Sequence, residues 1–178
     1  MLKRFLMLLT VVYLFGSIGF AQPLKRQLQT DFKEYNLSGP RLGVTYVTNG
    51  KLLDELEEND LGPVLSQFGW HLEYQIKPAG AAPSFVIEFI PMIAGVEYGK
   101  FIPNASLAMG IRLPNGLEFG MGPTVSAGKD TAYAALLLAV GKTFDYNGVH
   151  LPINLVMATS PDGNRFSFVF GYAINRRK

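Results

Sequence analysis

One hairpin, residues 104–126, constrains the fold of this 178-residue chain more than any other stretch. Two runs that alternate with a period of two flank Pro114-Asn115-Gly116, a strong hairpin signal. One face of the hairpin is small or polar, and a three-residue turn places Arg112 across from Glu118 on that face. The other face carries the apolar side chains Ala105, Leu107, Met109, Ile111, Leu113, Leu117, Phe119 and Met121. This pattern is typical of transmembrane β-barrel strands, which are apolar toward lipid and polar toward the lumen.

The same alternation recurs along the chain and predicts eight strands. They cover residues 41–47, 67–76, 84–96, 104–113, 117–126, 132–143, 149–158 and 165–175. The run 132–143 is nearly all apolar and could alone be a buried helix, but its neighbours favour a strand. Pro91 predicts a bulge or kink in the third strand. Because most segments approach the roughly 9–11 residues of a tilted spanning strand, we predict an all-β, eight-stranded antiparallel up-and-down transmembrane barrel.

The N-terminal segment predicts export. Lys3 and Arg4 precede an apolar run at 5–15, and small residues lead to Ala21, so residues 1–21 are interpreted as a cleavable signal peptide. A retained anchor helix is the alternative. Residues 22–37 are polar, with at most one short helix near 28–35, and are predicted to be a periplasmic leader or else a plug in the barrel mouth. The barrel is assigned to residues 38–178.

Composition narrows the classes of function. All 14 acidic residues follow Ala21 and two of the 16 basic residues precede it, so the mature chain is neutral and offers no electrostatic basis for binding nucleic acid. The absence of cysteine removes disulfides, thiolate catalysis and most zinc sites. Hydrophobic residues make up 48% of the chain, yet no run of about 20 apolar residues follows Ala21. This composition fits a membrane barrel or a large buried β core.

A long interruption at residues 48–66 is acidic and amphipathic. Leu52, Leu53 and Leu56 recur there at helical spacing. The segment is either a contact surface for a divalent cation or a partner, or a solvated helix that caps the barrel mouth. The contact candidates are Asp54, Glu55, Glu57, Glu58 and Asp60.

Two segments carry a resemblance to a known family. Residues 38–46, SGPRLGVTY, and residues 66–70, SQFGW, resemble the small eight-stranded outer-membrane barrels of Gram-negative envelopes, the OmpA/OmpX type. The chain is similar to an uncharacterised group of such outer-membrane β-barrel domain proteins over roughly residues 38–175. The resemblance implies an outer-membrane location, contact with lipid and lipopolysaccharide, and insertion by the barrel-assembly machinery. It brings no catalytic residue.

Polar residues on the face opposite the apolar one predict a lumen network. Its members are His71, Glu73, Glu88, Arg112, Glu118, Lys142 and Asn154. The network is either a narrow ion path or an internal set of salt bridges. An eight-stranded barrel is just wide enough for side chains, so we favour the salt bridges and a closed barrel.

Three functional hypotheses follow from the sequence. The first is a monomeric structural or surface-interaction barrel that is not an enzyme and holds neither cofactor nor metal. The second is a soluble periplasmic barrel, like a lipocalin, that binds an apolar ligand with its faces inverted. The third is a lipid A deacylase, which uses a Ser/His/Glu arrangement, but no serine lies two positions from His71 or His150.

Overall fold

The computed structural model describes residues 33–35, 37–78, 82–128 and 131–174. The strands are β1 (Lys33–Tyr35), β2 (Gly39–Val47), β3 (Val64–Lys77), β4 (Ser84–Ala94), β5 (Ile102–Arg112), β6 (Leu117–Ala127), β7 (Ala132–Tyr146), β8 (Val149–Ser160), β9 (Gly163–Gly171) and β10 (Ala173–Ile174). Helix α1 (Lys51–Glu58) follows β2, and a 3₁₀ turn (Val96–Tyr98) follows β4. The predicted signal peptide and most of the predicted leader lie outside the described residues.

The eight long strands, β2 to β9, close into an antiparallel ring. Each pairs with its neighbours in sequence, and β2 pairs with β9 to complete the circle. The predicted all-β, eight-stranded up-and-down barrel is therefore confirmed. Closure leaves no long strand with an unpaired edge.

The two short strands extend the ring at one end. β1 pairs with β3 in the register of β2, so Lys33 lies opposite Lys77. β10 likewise continues β9 along β8, with Ala173 opposite His150. The short helix predicted near 28–35 is wrong for residues 33–35, which form a strand. β3 continues beyond His71, the residue opposite Gly39, and its backbone groups there pair with this strand.

The hairpin at 104–126 has the predicted register. Arg112 lies opposite Glu118, and the Leu113 amide donates to the Leu117 carbonyl at 2.7 Å. Gly116 has a φ of +81° in the turn, a conformation that glycine adopts without strain. The apolar run at 132–143 is a strand, as predicted, and pairs with both β6 and β8.

Pro91 changes one ladder without bulging the strand. The β3–β4 register is the same on both sides of it, but the ladder skips from the Gly69–Met92 pair to the Leu72–Phe89 pair. Proline has no N–H to donate, which accounts for a gap on this side. The predicted bulge is thus wrong. Strand β4 also ends at Ala94, before the predicted residue 96.

The two faces of the barrel are inverted relative to a soluble protein. Trp70 is 50% exposed and Phe168 45%, whereas Glu73 is 6% and Arg112 8% exposed. Aromatic side chains that a lipocalin-like barrel would place inside, including Phe166 and Phe170, lie on the outer surface. Among the described residues, no helix is long and apolar enough to cross a membrane.

Candidate functional site

The barrel has two distinguishable ends. We call the end with the turns at 113–116 and 147–148 the turn end, and the end that carries α1 the loop end. Inward positions toward the turn end hold an ionic cluster contributed by five consecutive strands. Its members are Arg41, His71, Glu73, Glu88, Arg112 and Glu118, all buried. These side chains meet because alternate residues of every strand face the lumen.

Arg112 is the hub of the ionic cluster. Its Nη1 and Nη2 donate to the two carboxylate oxygens of Glu73 at 2.7 and 2.6 Å. Its Nε donates to Glu118 Oε2 at 2.5 Å, and Nη1 also reaches Gln75 Oε1 at 3.1 Å. These four bonds engage four of the five N–H donors of the guanidinium, and the bidentate pair with Glu73 helps to offset the cost of burying these charges.

His71 joins the remaining two charged groups. Arg41 Nη2 lies 2.9 Å from His71 Nδ1, and His71 Nε2 lies 3.0 Å from Glu88 Oε1. A guanidinium can only donate, so Nδ1 is the acceptor and the ring proton sits on Nε2, which donates to Glu88. The imidazole is therefore a neutral bridge from Arg41 to Glu88.

Five of the seven predicted lumen residues lie in the ionic cluster, and two do not. His71, Glu73, Glu88, Arg112 and Glu118 come together in the ionic cluster. Asn154 lines the lumen beside Gly141 but donates to none of these charged groups. Lys142 does not belong to the lumen network. It lies on the same outward face of β7 as Leu138, and it donates to the Asn115 carbonyl at the turn.

Sequence reasoning missed Arg41 and Arg165, although the signal was present. Each lies beside an outward apolar residue, Leu42 and Phe166, so alternation places both arginines inside. Lys142 is the opposite case. Its strand is apolar on both faces, so the sequence does not show which of its residues face the lumen.

The ionic cluster contains a spacing that would admit a cation. Ligand atoms of His71, Glu73 and Glu88 lie within 4.8 Å of one another. The guanidinium groups of Arg41 and Arg112 already donate to these atoms, so a cation would have to displace two permanent charges. Within the described part of the chain, no serine hydroxyl bonds to a histidine, and His150 contacts Asp145 instead.

The loop end is sealed by α1. Leu52 and Leu56 are buried against a cluster made of Val47, Leu61, Leu65, Ala94 and Tyr133. The Tyr133 hydroxyl donates to Glu55, and Lys51 Nζ lies 3.3 Å from Asp162 Oδ1. The structure thus has the cap over the mouth that one interpretation of this segment predicted. Asp54, Glu57, Glu58 and Asp60 remain exposed, and Glu55 is half-buried.

A chamber of about 120 Å³ lies within the lumen. Leu52 and Leu56 of α1 contribute to its walls, as do His71 and Arg112 of the ionic cluster. The space inside the barrel is therefore bounded by an apolar cap and by a set of buried ion pairs.

A closed ring with an apolar outer belt and a charged lumen is the architecture of a small outer-membrane β-barrel. No family model and no curated protein matches the chain. Among solved structures it is similar to Ail, the attachment invasion locus protein of Yersinia pestis, in complex with the heparin analogue sucrose octasulfate. The match has 13% identity and a TM-score of 0.49, and covers 80% of this chain and 98% of that one.

Proposed function

We propose that this protein is a monomeric, closed outer-membrane barrel with a structural or surface-interaction role, and that it is neither an open pore nor an enzyme. The observation that carries the proposal is the double seal of the lumen. Arg112 and its carboxylate partners fill one part, and the apolar face of α1 fills the mouth. An ion would have to cross both barriers. The lumen therefore gives ions no path across the membrane, and recognition at the cell surface belongs to the loops.

The outer surface supports a location in lipid. Outward side chains such as Leu107, Phe119 and Leu155 are 48–58% exposed and would be a liability in water. Hydrocarbon lipid chains and lipopolysaccharide acyl chains are the environment that this belt fits. The barrel-assembly machinery would insert the chain, and a closed ring needs no second copy to cover an edge.

The loops suggest an orientation. Short turns join β5 to β6 and β7 to β8, whereas 16 residues, 48–63, separate β2 from β3. Small outer-membrane barrels place short turns in the periplasm and longer loops outside. In this orientation the exposed carboxylates of Asp54 and Glu57 on α1, and of Asp60 just after it, lie at the cell surface. Their charge favours a cationic partner.

Single-cysteine labelling of intact cells tests location and orientation together. The native chain has no cysteine, so each introduced thiol is unique. Asp60→Cys should react with a membrane-impermeant maleimide in intact cells, and Asn115→Cys at the opposite end should react only after lysis. Labelling of Asn115→Cys alone in intact cells would reverse the orientation. Recovery of the protein in the soluble fraction would remove the membrane assignment.

Planar bilayer recording tests the double seal. Purified protein should give no steady current across a range of voltages, since neither barrier has an open aqueous path. A steady, ion-selective conductance would overturn the closed-barrel proposal. A porin measured in the same bilayers serves as the positive control for insertion and recording.

A further inference from the structure

Arg165 is a buried cation without a matching anion. It lies at an inward position near the start of β9 and is only 7% exposed. Its Nη1 donates to the Ser126 hydroxyl, and its Nη2 has no hydrogen-bond partner. Among the described residues, no carboxylate forms a salt bridge with its guanidinium, in contrast with Arg112. An unpaired charge in such a place is costly unless something absent from the chain completes it.

The polar neighbours cannot supply the missing charge, because they are neutral and already paired. Ser106 Oγ lies 2.8 Å from Thr124 Oγ1, and Asn104 Nδ2 donates to Ser126 Oγ at 2.6 Å. On β9 itself and on the adjacent β2, the Ser167 and Thr45 hydroxyls are 2.7 Å apart. These pairs satisfy one another and leave Arg165 without a carboxylate partner. Glu88 and Glu118 line the same chamber, but they bond within the ionic cluster.

Arg165 contributes to the wall of the internal chamber, and most of that wall near the loop end is apolar. Leu52, Leu56, Leu65 and Val169 line it with Arg165. The volume is about 120 Å³. A cavity of about 150 Å³ lined by apolar side chains holds one benzene, so this chamber has room for about four to six non-hydrogen atoms.

From this combination of one unpaired cation and an apolar wall we infer that the chamber is a binding site for a short-chain organic monocarboxylate. The carboxylate pairs with the Arg165 guanidinium, and the short alkyl tail lies against Leu52 and Leu56. Water alone would satisfy an N–H donor but would neither balance the charge nor favour the apolar wall. Because α1 covers the chamber, the ligand is taken up during folding or while α1 is undocked.

The test uses butyrate, which has six non-hydrogen atoms, as the probe. The full mature chain is refolded into detergent micelles with ¹³C-butyrate, so that α1 does not bar its uptake. The expected result is nuclear Overhauser contacts from the butyrate methyl to the methyl groups of Leu52 and Val169. Butyramide, which is neutral and nearly the same shape, should bind about tenfold more weakly or worse, since it lacks the charge. This comparison needs no mutation.

Two variants localise the effect. Arg165→Met should abolish the contacts, whereas Lys100→Met, which removes an exposed cation from a loop at the same end, should leave them unchanged. Absence of contacts in the native chain overturns the proposal, as does equal binding of butyramide. Persistence of the contacts in a folded Arg165→Met protein overturns the role of Arg165.

Discussion

The two ends of the lumen are filled by opposite chemistry. Toward the turn end, buried charges contributed by five strands pair around Arg112. At the loop end, the apolar face of α1 docks on Val47, Leu65 and Tyr133. The first arrangement depends on charge compensation inside the barrel, and the second depends on removal of apolar surface from water.

The two ends of the lumen should respond differently to mutation. The ionic cluster is shared by β2 to β6, so losing one member leaves unpaired charges inside the barrel wall itself. The cap is a single helix on a loop, and its removal leaves every strand pairing of the ring in place. Damage to the ionic cluster should therefore be global, whereas damage to the cap should be local.

The largest effect is expected for Arg112→Met. This change leaves the buried carboxylates of Glu73 and Glu118 without their cation. Breaking a buried ion pair costs about 3–5 kcal/mol of folding stability. Urea unfolding from lipid vesicles, followed by tryptophan fluorescence of Trp70, measures the loss. A loss below about 1 kcal/mol would contradict the buried, paired state of these carboxylates.

Two controls separate the ion pairs from generic loss of an arginine. Adding Glu73→Gln and Glu118→Gln to Arg112→Met removes the stranded charges and should recover part of the stability. Lys142→Met removes a cation from the outer face near the same turn and should cost no more than about 1 kcal/mol. Equal losses for Arg112→Met and Lys142→Met would mean that the lumen position has no special role.

A smaller and local effect is expected for Leu56→Ala. Truncating this buried leucine should weaken α1 docking by about 2–3 kcal/mol, at the low end for a core leucine because the site is close to the surface. Hydrogen exchange should speed up for α1 amides and stay unchanged in β5 to β8. Glu57→Ala, on the exposed face of the same helix, is the matched control. Faster exchange throughout the barrel would show that the cap is part of the global fold.

The sequence is informative where contacts are local. Arg112 and Glu118 are six residues apart across a recognisable turn, so their pairing follows from turn length and strand parity alone. The four-residue spacing of Leu52 and Leu56 likewise predicts that they share one face of a helix. Such features depend on periodicity and short-range geometry, which a single sequence contains.

Features that depend on register between distant strands were not predictable. The bridge from Arg41 through His71 to Glu88 joins three strands, and nothing local fixes how far β2 slides along β3. Lys142 lies on a strand that is apolar on both faces, so alternation in the sequence does not show that its side chain points outward. The strand at Lys33–Tyr35 forms because the end of β3 offers a pairing edge, and residues 33–35 themselves do not specify that edge.

The smallest effect is expected for an exposed charge at the loop end, which should contribute less to folding stability than a charge in the lumen. Glu97, on the 3₁₀ turn, accepts hydrogen bonds from the Ser66 amide at 2.7 Å and from the Ser66 hydroxyl. Slight burial raises the pKa of Glu97, but the bonds from Ser66 outweigh it and hold that pKa below the ordinary glutamate value.

A lowered folded-state pKa means that Glu97 stabilises the protein above its unfolded-state pKa of about 4.3, and that this contribution is lost as the pH falls through the folded-state pKa. The group is well exposed to water, so the contribution should stay well under about 1 kcal/mol. Monitoring the Ser66 amide by NMR between pH 2.5 and 6 should give a midpoint below about 4.3. Glu97→Gln should remove the titration, and a midpoint at or above the ordinary value would show that the Ser66 contact does not hold the carboxylate. Because water already solvates this carboxylate, its loss should leave the ring and the ionic cluster intact, which is the reverse of what Arg112→Met should do.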